Sequence, residues 1–185
     1  MNPADAVIHD GSRGGMPPRD PRSRELRNTL GRFATGVTVV TTSHHGSVVG
    51  VTVNSFTSVS LEPPMILWCL RRESVRGTVF TASRHFAVNV LADGQQPVAS
   101  LFTRPGGSVD EVPIHPGPHD LPILTGVVAV IICRRDRILP VGDHLVIFGA
   151  VLDHWAEPGP VLLFHDSRYR TSAINPDLLR SIASG

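Results

Sequence analysis

The feature that most constrains the fold is a run of β-branched residues in the first third of the chain. Residues 37–42 read Val-Thr-Val-Val-Thr-Thr, and residues 47–54, of which five are β-branched, form a second run after His45-Gly46. β-Branched side chains pack well on a pleated sheet and lose conformational freedom in a helix. Two such runs separated by a short turn predict a β-hairpin over residues 37–54.

Five further apolar runs have the length and the residue types of strands. They lie at residues 65–70, 86–91, 127–133, 144–152 and 161–164. Several successive runs are joined by short turns, and helical signals are few. This pattern predicts a mainly β protein with short helices, and it favours a closed or nearly closed barrel over a doubly wound parallel sheet.

Three short helices are predicted. The first begins at the N-cap signal Asp20-Pro21 and ends at Gly36. Its apolar residues Leu26, Leu30 and Phe33 share one face because they are spaced at i, i+4 and i+7. The other two helices are predicted at residues 74–83, with Ser74 at the N-cap, and at residues 95–102, and the Gly- and Pro-rich residues 103–122 are predicted to form a long irregular loop.

The 185-residue chain is long enough for one domain with a sizeable core. We expect that domain at residues 23–175, between a flexible N-terminal tail at 1–22 and a C-terminal tail at 176–185. The formal net charge of +1 gives no field that would attract nucleic acid or an anionic membrane. The apolar runs are too short to span a bilayer and the N-terminus does not resemble a signal peptide, so we expect a cytoplasmic protein.

Cysteine and histidine patterns argue against several classes of site. Cys69 and Cys133 lie in apolar runs and are expected to be free thiols, since a disulfide fits a cytosolic enzyme poorly. The nine histidines include no His-x-x-x-His on a predicted helix, and there is no Cys-x-x-Cys, so no metal site is predicted. Neither Gly-x-Gly-x-x-Gly nor Gly-x-Ser-x-Gly occurs, which argues against a Rossmann site and a hydrolase nucleophile.

The densest polar feature lies at residues 52–60, which read Thr-Val-Asn-Ser-Phe-Thr-Ser-Val-Ser just past a strand end. Hydroxyl and amide groups, together with backbone N–H groups, can hold phosphate and polyol oxygens without a large positive charge. The alternative is an ordinary Ser/Thr turn.

A second polar group is Gly142-Asp143-His144, directly before a predicted strand. A carboxylate beside an imidazole can fix the tautomer of the ring or raise its pKa. The alternative is a turn with a surface histidine. The basic pairs Arg71-Arg72 and Arg134-Arg135 are either solvated or, beside a hydroxyl-rich cradle, suited to neutralise a pyrophosphate.

Six pieces of the chain, taken in order, carry a family resemblance over about residues 24–172. They are Arg32-Phe33-Ala-Thr35-Gly36-Val37-Thr38-Val39-Val40-Thr41, the stretch from Gly50 to Pro64, Phe86-Ala-Val-Asn89-Val90-Leu91, Gln95 with Phe102 downstream, Gly142-Asp143-His144, and Pro160-Val-Leu-Leu-Phe164 leading to Tyr169. Together they resemble the flavin reductase family, the small reductase components of two-component, flavin-dependent monooxygenases.

The resemblance implies a flavin-binding split β-barrel and a homodimer. It also implies hydride transfer from NADH or NADPH to FAD or FMN, with NADH and FAD favoured. Members of the family often treat flavin as a substrate that leaves once reduced, so the resemblance implies a partner monooxygenase that receives reduced flavin by diffusion.

The resemblance also assigns residues to the flavin. Asn54 and Ser55 would contact the ring edge and the ribityl chain, and Thr57 and Ser58 the phosphate region. The full set of implied cofactor-binding residues is Thr35, Val37, Thr52, Asn54, Ser55, Phe56, Thr57, Ser58, Arg71, Ser74, Phe102, Arg104, Asp143 and Tyr169. Within this set, Thr35 and Val37 would border the isoalloxazine ring.

The implied catalytic residue is His144, which matches the position that faces the nicotinamide. It would orient that ring and exchange a proton, and Tyr169 would lie near the same pocket. Ser74 matches the family's phosphate-binding serine. Many relatives carry a basic residue followed by phenylalanine where this chain has Glu111-Val112, so Arg104 or Arg71 is expected to contact the phosphate instead.

Three other functions remain open at this stage. The first is a non-catalytic split-barrel module that binds flavin or haem. The second is an oxidase or nitroreductase with permanently bound FMN. The third is an interaction protein that uses only the surface of the barrel.

Overall fold

The structure, a computed structural model, describes residues 20–104, 109 and 112–173. In chain order its elements are α1 (Pro21–Leu30), β1 (Thr35–Gly36), β2 (Thr38–His44), β3 (Ser47–Val53), β4 (Thr57–Leu61), β5 (Pro64–Arg71), α2 (Gly77–Ala82), β6 (His85–Val90), α3 (Gln96–Thr103), β7 (Ile114–Pro116), a 3₁₀ turn (Pro118–Asp120), β8 (Pro122–Leu124), β9 (Ala129–Val141), β10 (His144–Ala156), β11 (Leu162–His165) and β12 (Arg168–Thr171). The predicted tail residues 1–19 and 176–185 lie outside the described residues.

The main sheet has seven antiparallel strands in the order β3-β2-β6-β9-β10-β5-β4. Its two edge strands, β3 and β4, are consecutive in the chain and are linked by residues 54–56, yet they do not pair with each other in the described sheet. The sheet curls so that β3 approaches β5, which leaves a barrel with a split between its edges. The prediction of a mainly β fold with short helices is confirmed, and the barrel is split rather than closed.

The predicted hairpin over residues 37–54 is confirmed. β2 and β3 pair in register from Thr38 opposite Val53 to His44 opposite Ser47. The two turn residues, His45 and Gly46, have φ angles of 50° and 80°. Positive φ at both central positions gives the turn a twist that matches the twist of the flanking strands.

Neighbouring residues of β2 serve two different cores. Val40 belongs to the cluster around Trp68 inside the main sheet, whereas Val39 belongs to the cluster around Leu91, which α3 and β11 complete. Successive side chains of a strand point to opposite faces. Residues 37–42 can therefore all be buried, and they are.

The first helix ends earlier than predicted. Its predicted start is confirmed, since the Asp20 side chain accepts a hydrogen bond from the Arg22 N–H at 3.2 Å. It ends at Leu30 with Gly31 as the C-cap, and not at Gly36. The chain has to leave the helix there because Gly36 pairs with β11 as part of β1.

Among the described residues, the predicted apolar face of α1 stays exposed. Leu26, Leu30 and Phe33 are 58%, 65% and 77% exposed, and Phe33 lies beyond the helix. The helix is attached at its C-terminal end, where the Arg32 guanidinium forms a 2.9 Å ion pair with Asp166. No helix in the part of the chain that the structure describes is long and apolar enough to cross a membrane.

The second helix is shorter than predicted, and Ser74 is not its N-cap. α2 starts at Gly77, and the Ser74 hydroxyl instead accepts a hydrogen bond from the Arg76 N–H at 3.3 Å. Two consecutive turns precede the helix, because Ser74 N–H donates to Arg71 O and Gly77 N–H donates to Ser74 O. The predicted third helix is confirmed with a shift of one residue at each end.

Residues 103–122 are not wholly irregular, contrary to the prediction. They include β7 and a 3₁₀ turn, and the segment leads into β8. Two buried polar side chains hold this region to the sheet. The Thr41 hydroxyl donates to Pro122 O at 2.6 Å, and the Asn89 side-chain oxygen accepts from Leu124 N–H at 3.0 Å.

Strands β9 and β10 are longer than the apolar runs that predicted them. Each has 13 residues, and their pairing continues past Cys133 through residues 134–141, most of which are exposed. Pairing with β10 holds this extension where apolar burial does not. Five short strands, β1, β4, β7, β8 and β12, were not predicted because none carries a long apolar run.

Candidate active site

The polar segment at residues 52–58 crosses the split of the barrel. β4 pairs with β5 as far as Thr57 opposite Leu67, and it does not reach the next ladder position of β5, at Cys69. The Ser55 hydroxyl occupies that position. It accepts from the Cys69 N–H at 2.9 Å and donates to the Cys69 carbonyl at 3.2 Å. The side chain of Ser55 is therefore used to bridge the split.

The other side chains of this segment divide into those that are held by the fold and those that are exposed. Thr52 donates its hydroxyl proton to the Ala99 carbonyl at 2.7 Å, and Phe56 packs against the main core. The side chains that are exposed at the split are Asn54, Thr57 and Ser58. These three are available to a ligand, whereas Thr52 and Ser55 are held by the fold.

A turn that follows β5 lies beside the turn between β9 and β10. Arg71 pairs with His144 in the β5–β10 ladder. The Arg72 N–H then donates to the Asp143 carbonyl at 3.0 Å. Strand register therefore brings together two turns that are about 70 residues apart in sequence. One turn carries Arg71, Arg72 and Ser74, and the other carries the Asp143-His144 pair.

Asp143 and His144 form a direct contact. The His144 Nδ1 atom lies 2.7 Å from Asp143 Oδ1, and the two side chains are 39% and 79% exposed. This hydrogen bond is the main reason that the pKa of Asp143 is lowered, and the charges of His144 and Arg71 add to it. An imidazole that donates Nδ1–H to a carboxylate presents Nε2 to a ligand.

Thr35 and Tyr169 lie in the small sheet formed by β1, β11 and β12. Both pair with Phe164, so the three residues form one row across the sheet, and the Phe164 and Tyr169 rings meet edge to face at 5.5 Å. The Thr35 hydroxyl is buried and has no hydrogen-bond partner in the described structure. Burial raises the pKa of Tyr169, and a hydrogen bond with Ser100 partly offsets this.

Val37 and Phe102 were assigned to the flavin site by resemblance, and the structure places both side chains in the core cluster around Leu91. Each is 2% exposed. Phe102 packs so closely on β3 that a Cβ atom at Gly50 would lie 2.5 Å from its ring. These two side chains therefore support the candidate site from within the core and do not line a surface that a ligand could reach.

Helix α3 contacts both the polar segment at residues 52–58, through Thr52, and the small sheet, through Tyr169. On one side the Ala99 carbonyl accepts the Thr52 hydroxyl, and on the other Ser100 bonds to Tyr169. At its C-terminus, Arg76 donates to the Phe102 carbonyl at 2.9 Å and also to the Arg104 carbonyl. The prediction overlooked Arg76, because a charged residue between two apolar runs looks like an ordinary surface position.

Glu111, which stands where many relatives carry a basic residue, lies outside the described residues. Arg71 and Arg104, which are expected to contact the phosphate instead, are both described and exposed. Arg71 lies near the Asp143-His144 pair, and Arg104 is the C-cap of α3.

The described residues contain no group of three or more His, Cys, Asp or Glu side chains that could hold a metal ion. Cys69 and Cys133 are free thiols, as predicted. Burial raises the pKa of Cys133 to about 12, so it remains protonated at neutral pH.

The structure is that of a split β-barrel protein with exposed polar side chains at the split. The family described as "Flavin reductase like domain" matches residues 30–173, and the chain belongs to this family. The predicted family, its split-barrel fold and its class of enzyme, a flavin reductase, are confirmed.

Three relatives illustrate the match. The chain is 40% identical over 147 residues to the FMN reductase (NADH) SmoA of Agrobacterium fabrum, covering 80% of this chain and 84% of SmoA. It is 39% identical over 161 residues to the flavin-dependent monooxygenase reductase subunit HsaB of Rhodococcus jostii, covering 85% and 80%. The NADH:FAD oxidoreductase SgcE6 of Streptomyces globisporus, solved with NAD and FAD fragments, superposes with a TM-score of 0.78 at 37% identity, covering 88% of this chain and 99% of SgcE6.

Proposed function

We propose that this protein oxidises NADH and reduces FAD, which then leaves as the diffusible substrate of a partner monooxygenase. The observation that carries the proposal is the juxtaposition at the split. Exposed amide and hydroxyl side chains on residues 54–58 lie along one edge, and the Asp143-His144 pair lies at the end of the neighbouring strand pair.

The residues fit a flavin in two respects. The Thr35 hydroxyl is buried and has no hydrogen-bond partner in the described structure. A hydrogen bond from a ligand would therefore offset the free energy lost when this hydroxyl left water. Asn54, Thr57 and Ser58 add donors and acceptors at an exposed edge, as a ring with several carbonyl and nitrogen atoms requires.

Each group has a role in the proposed reaction. Asn54 holds the ring edge, and Thr57 and Ser58 hold the phosphate side together with Ser74, Arg71 and Arg104. His144, oriented by Asp143, positions the nicotinamide through Nε2. When bound, the nicotinamide supplies a hydride and the flavin accepts it.

Val37 and Phe102 act indirectly in this proposal. Because both side chains are buried in one cluster, they would support the flavin site by fixing the start of β2 and the end of α3. Ser55 and Thr52 act in the same way on residues 52–58, since their hydroxyls hold that segment to β5 and α3.

A homodimer is part of the proposal. Large apolar side chains stay exposed in the single chain on α1, in the segment after it, on the edge strand β4 and in or beside neighbouring turns, among them Leu26, Leu30, Phe33, Val59, Leu61, Val75 and Val141. Covering such surface with a second copy removes apolar area from water. Light scattering on the purified protein tests this point, and a monomeric mass would contradict it.

The decisive experiment is NADH oxidation by the purified protein, with and without added FAD, repeated with FMN and with NADPH. We expect oxidation that depends on added FAD, and flavin that passes through an ultrafiltration membrane after reduction. Flavin binding without NADH oxidation would favour a non-catalytic module instead. Colour that stays with the protein, and turnover without added flavin, would favour a permanently bound FMN.

A further inference from the structure

Arg76 joins two parts of the proposed phosphate side that are distant in sequence. Its backbone N–H bonds the Ser74 hydroxyl at 3.3 Å. Its guanidinium donates to the Phe102 carbonyl at 2.9 Å through Nη1 and to the Arg104 carbonyl through Nη2. One residue therefore holds the turn that carries Ser74 against the end of α3, where Arg104 begins the next segment.

The contact uses the particular geometry of arginine. Carbonyls in the last turn of a helix have no partner within the helix, and the C-terminal end of a helix attracts a cation. A planar guanidinium can donate to two carbonyls at once, whereas an ammonium acts as a point charge. Burial lowers the pKa of Arg76, yet an arginine remains charged at neutral pH.

We infer that Arg76 is a positioning residue that makes Ser74 and Arg104 parts of one surface for the flavin phosphate. This inference rests on the proposed function, because it takes that function's ligand as given. Arg76 is half-buried and its two terminal nitrogens are both committed to carbonyls, so it acts on the phosphate through its neighbours.

Three flavins that differ only beyond the ribityl chain test the inference. Riboflavin lacks a phosphate, FMN has one, and FAD has a pyrophosphate. In Arg76→Met we expect the dissociation constants and KM values of FMN and FAD to rise about tenfold, since charge-assisted contacts to the phosphate lose their alignment. The dissociation constant of riboflavin should change by less than about twofold.

Arg76→Lys separates position from charge. A lysine keeps the positive charge and cannot hold both carbonyls in a fork, so we expect it to restore little of the lost FMN affinity. Arg84→Met, at the other end of α2, is the matched control, and it should leave the affinities for all three flavins unchanged. Full recovery in Arg76→Lys would show that charge alone matters and would overturn the inference.

The remaining outcomes are also decisive. An equal loss of riboflavin and FMN affinity, no loss of either, or the failure of both Arg76 variants to fold would each overturn a local role in phosphate binding. A wild-type protein that binds none of the three flavins would instead contradict the proposed function itself. Thermal unfolding of each variant distinguishes these cases.

Discussion

Ser55 and Ser58 lie three positions apart on the same polar segment and serve different purposes. The Ser55 hydroxyl makes two hydrogen bonds with the backbone of Cys69 and bridges the split of the barrel. The Ser58 side chain is exposed, and the described structure gives it no hydrogen bond to the fold. The comparison shows that a hydroxyl-rich stretch can combine structural and ligand-binding groups of one residue type.

The difference follows from strand pairing. β4 pairs with β5 at Thr57 and Ser58, so the exposed Ser58 side chain is not needed to hold the two strands together there. Past the end of this ladder, the N–H and C=O of Cys69 need a partner, and a nearby hydroxyl supplies both a donor and an acceptor.

The largest expected difference between the two serines is in stability, and it is expected in Ser55→Ala. Removing the hydroxyl leaves two backbone groups of Cys69 without partners, and we expect the free energy of unfolding to fall by about 2–3 kcal/mol. Ser58→Ala is the matched control and should change it by less than about 0.5 kcal/mol. Urea denaturation of both variants measures these values, and equal effects would break the comparison.

The next effect concerns the other side of the site, where the half-buried His144 contacts the exposed Asp143. In His144→Ala we expect kcat/KM for NADH to fall about 10- to 100-fold, because the group that orients the nicotinamide is lost. The dissociation constant of flavin should stay within about twofold. Steady-state kinetics and flavin binding measure both, and unchanged turnover with unchanged KM would contradict the role of His144.

Asp143 gives that prediction a pH test. Its carboxyl pKa is lowered by the hydrogen bond to His144, so the contribution of the ionised pair is present above the ordinary value of about 3.9 and is lost as the pH falls through the lower native value. Asp143 therefore does not titrate between about pH 5 and 8. A titration of kcat/KM in that range should persist in Asp143→Asn, and its disappearance would assign it to the carboxyl.

Much of the fold could be predicted from the sequence because its strongest signals are local. The hairpin over residues 37–54 is an example, since β-branched runs and the His45-Gly46 turn specify it without distant partners. The exposed ends of β9 and β10 were missed because cross-strand pairing, and not a local pattern, holds them. Gly36 was taken as a helix end for the same reason, since only the pairing with β11 makes it part of a strand.

The sequence indicated candidate site residues, but it did not indicate which of their side chains are buried. Resemblance pointed to residues 52–58 and to His144, and strand register places these at neighbouring parts of the barrel. It could not separate Phe102, which is buried, from Asn54, which is exposed, because burial depends on how α3 packs against β3. Arg76 has no local signal at all, since its partners lie 26 and 28 residues away.

A smaller effect is expected in Thr35→Val, which replaces a buried unpartnered hydroxyl by a methyl group of similar size. Removing a buried hydroxyl that has no partner also removes its desolvation cost, so the free energy of unfolding should not fall and should rise by about 1 kcal/mol. If flavin is the missing partner, its KM should rise about fivefold. A stability loss without a change in KM would show that the hydroxyl belongs to the fold, as that of Ser55 does.

The smallest effect returns to the exposed side chains of the split. Ser58→Ala should weaken FMN about threefold and leave riboflavin unchanged, because Ser58 is proposed to contact the phosphate and one neutral hydrogen bond contributes about 1 kcal/mol or less. Asn54→Ala should weaken both ligands equally, because the ring edge is common to them. Fluorescence titration with the two flavins measures the four affinities. If Ser58→Ala weakened riboflavin as much as FMN, the direction of the flavin along residues 54–58 would have to be reversed, although the contrast with Ser55 would stand.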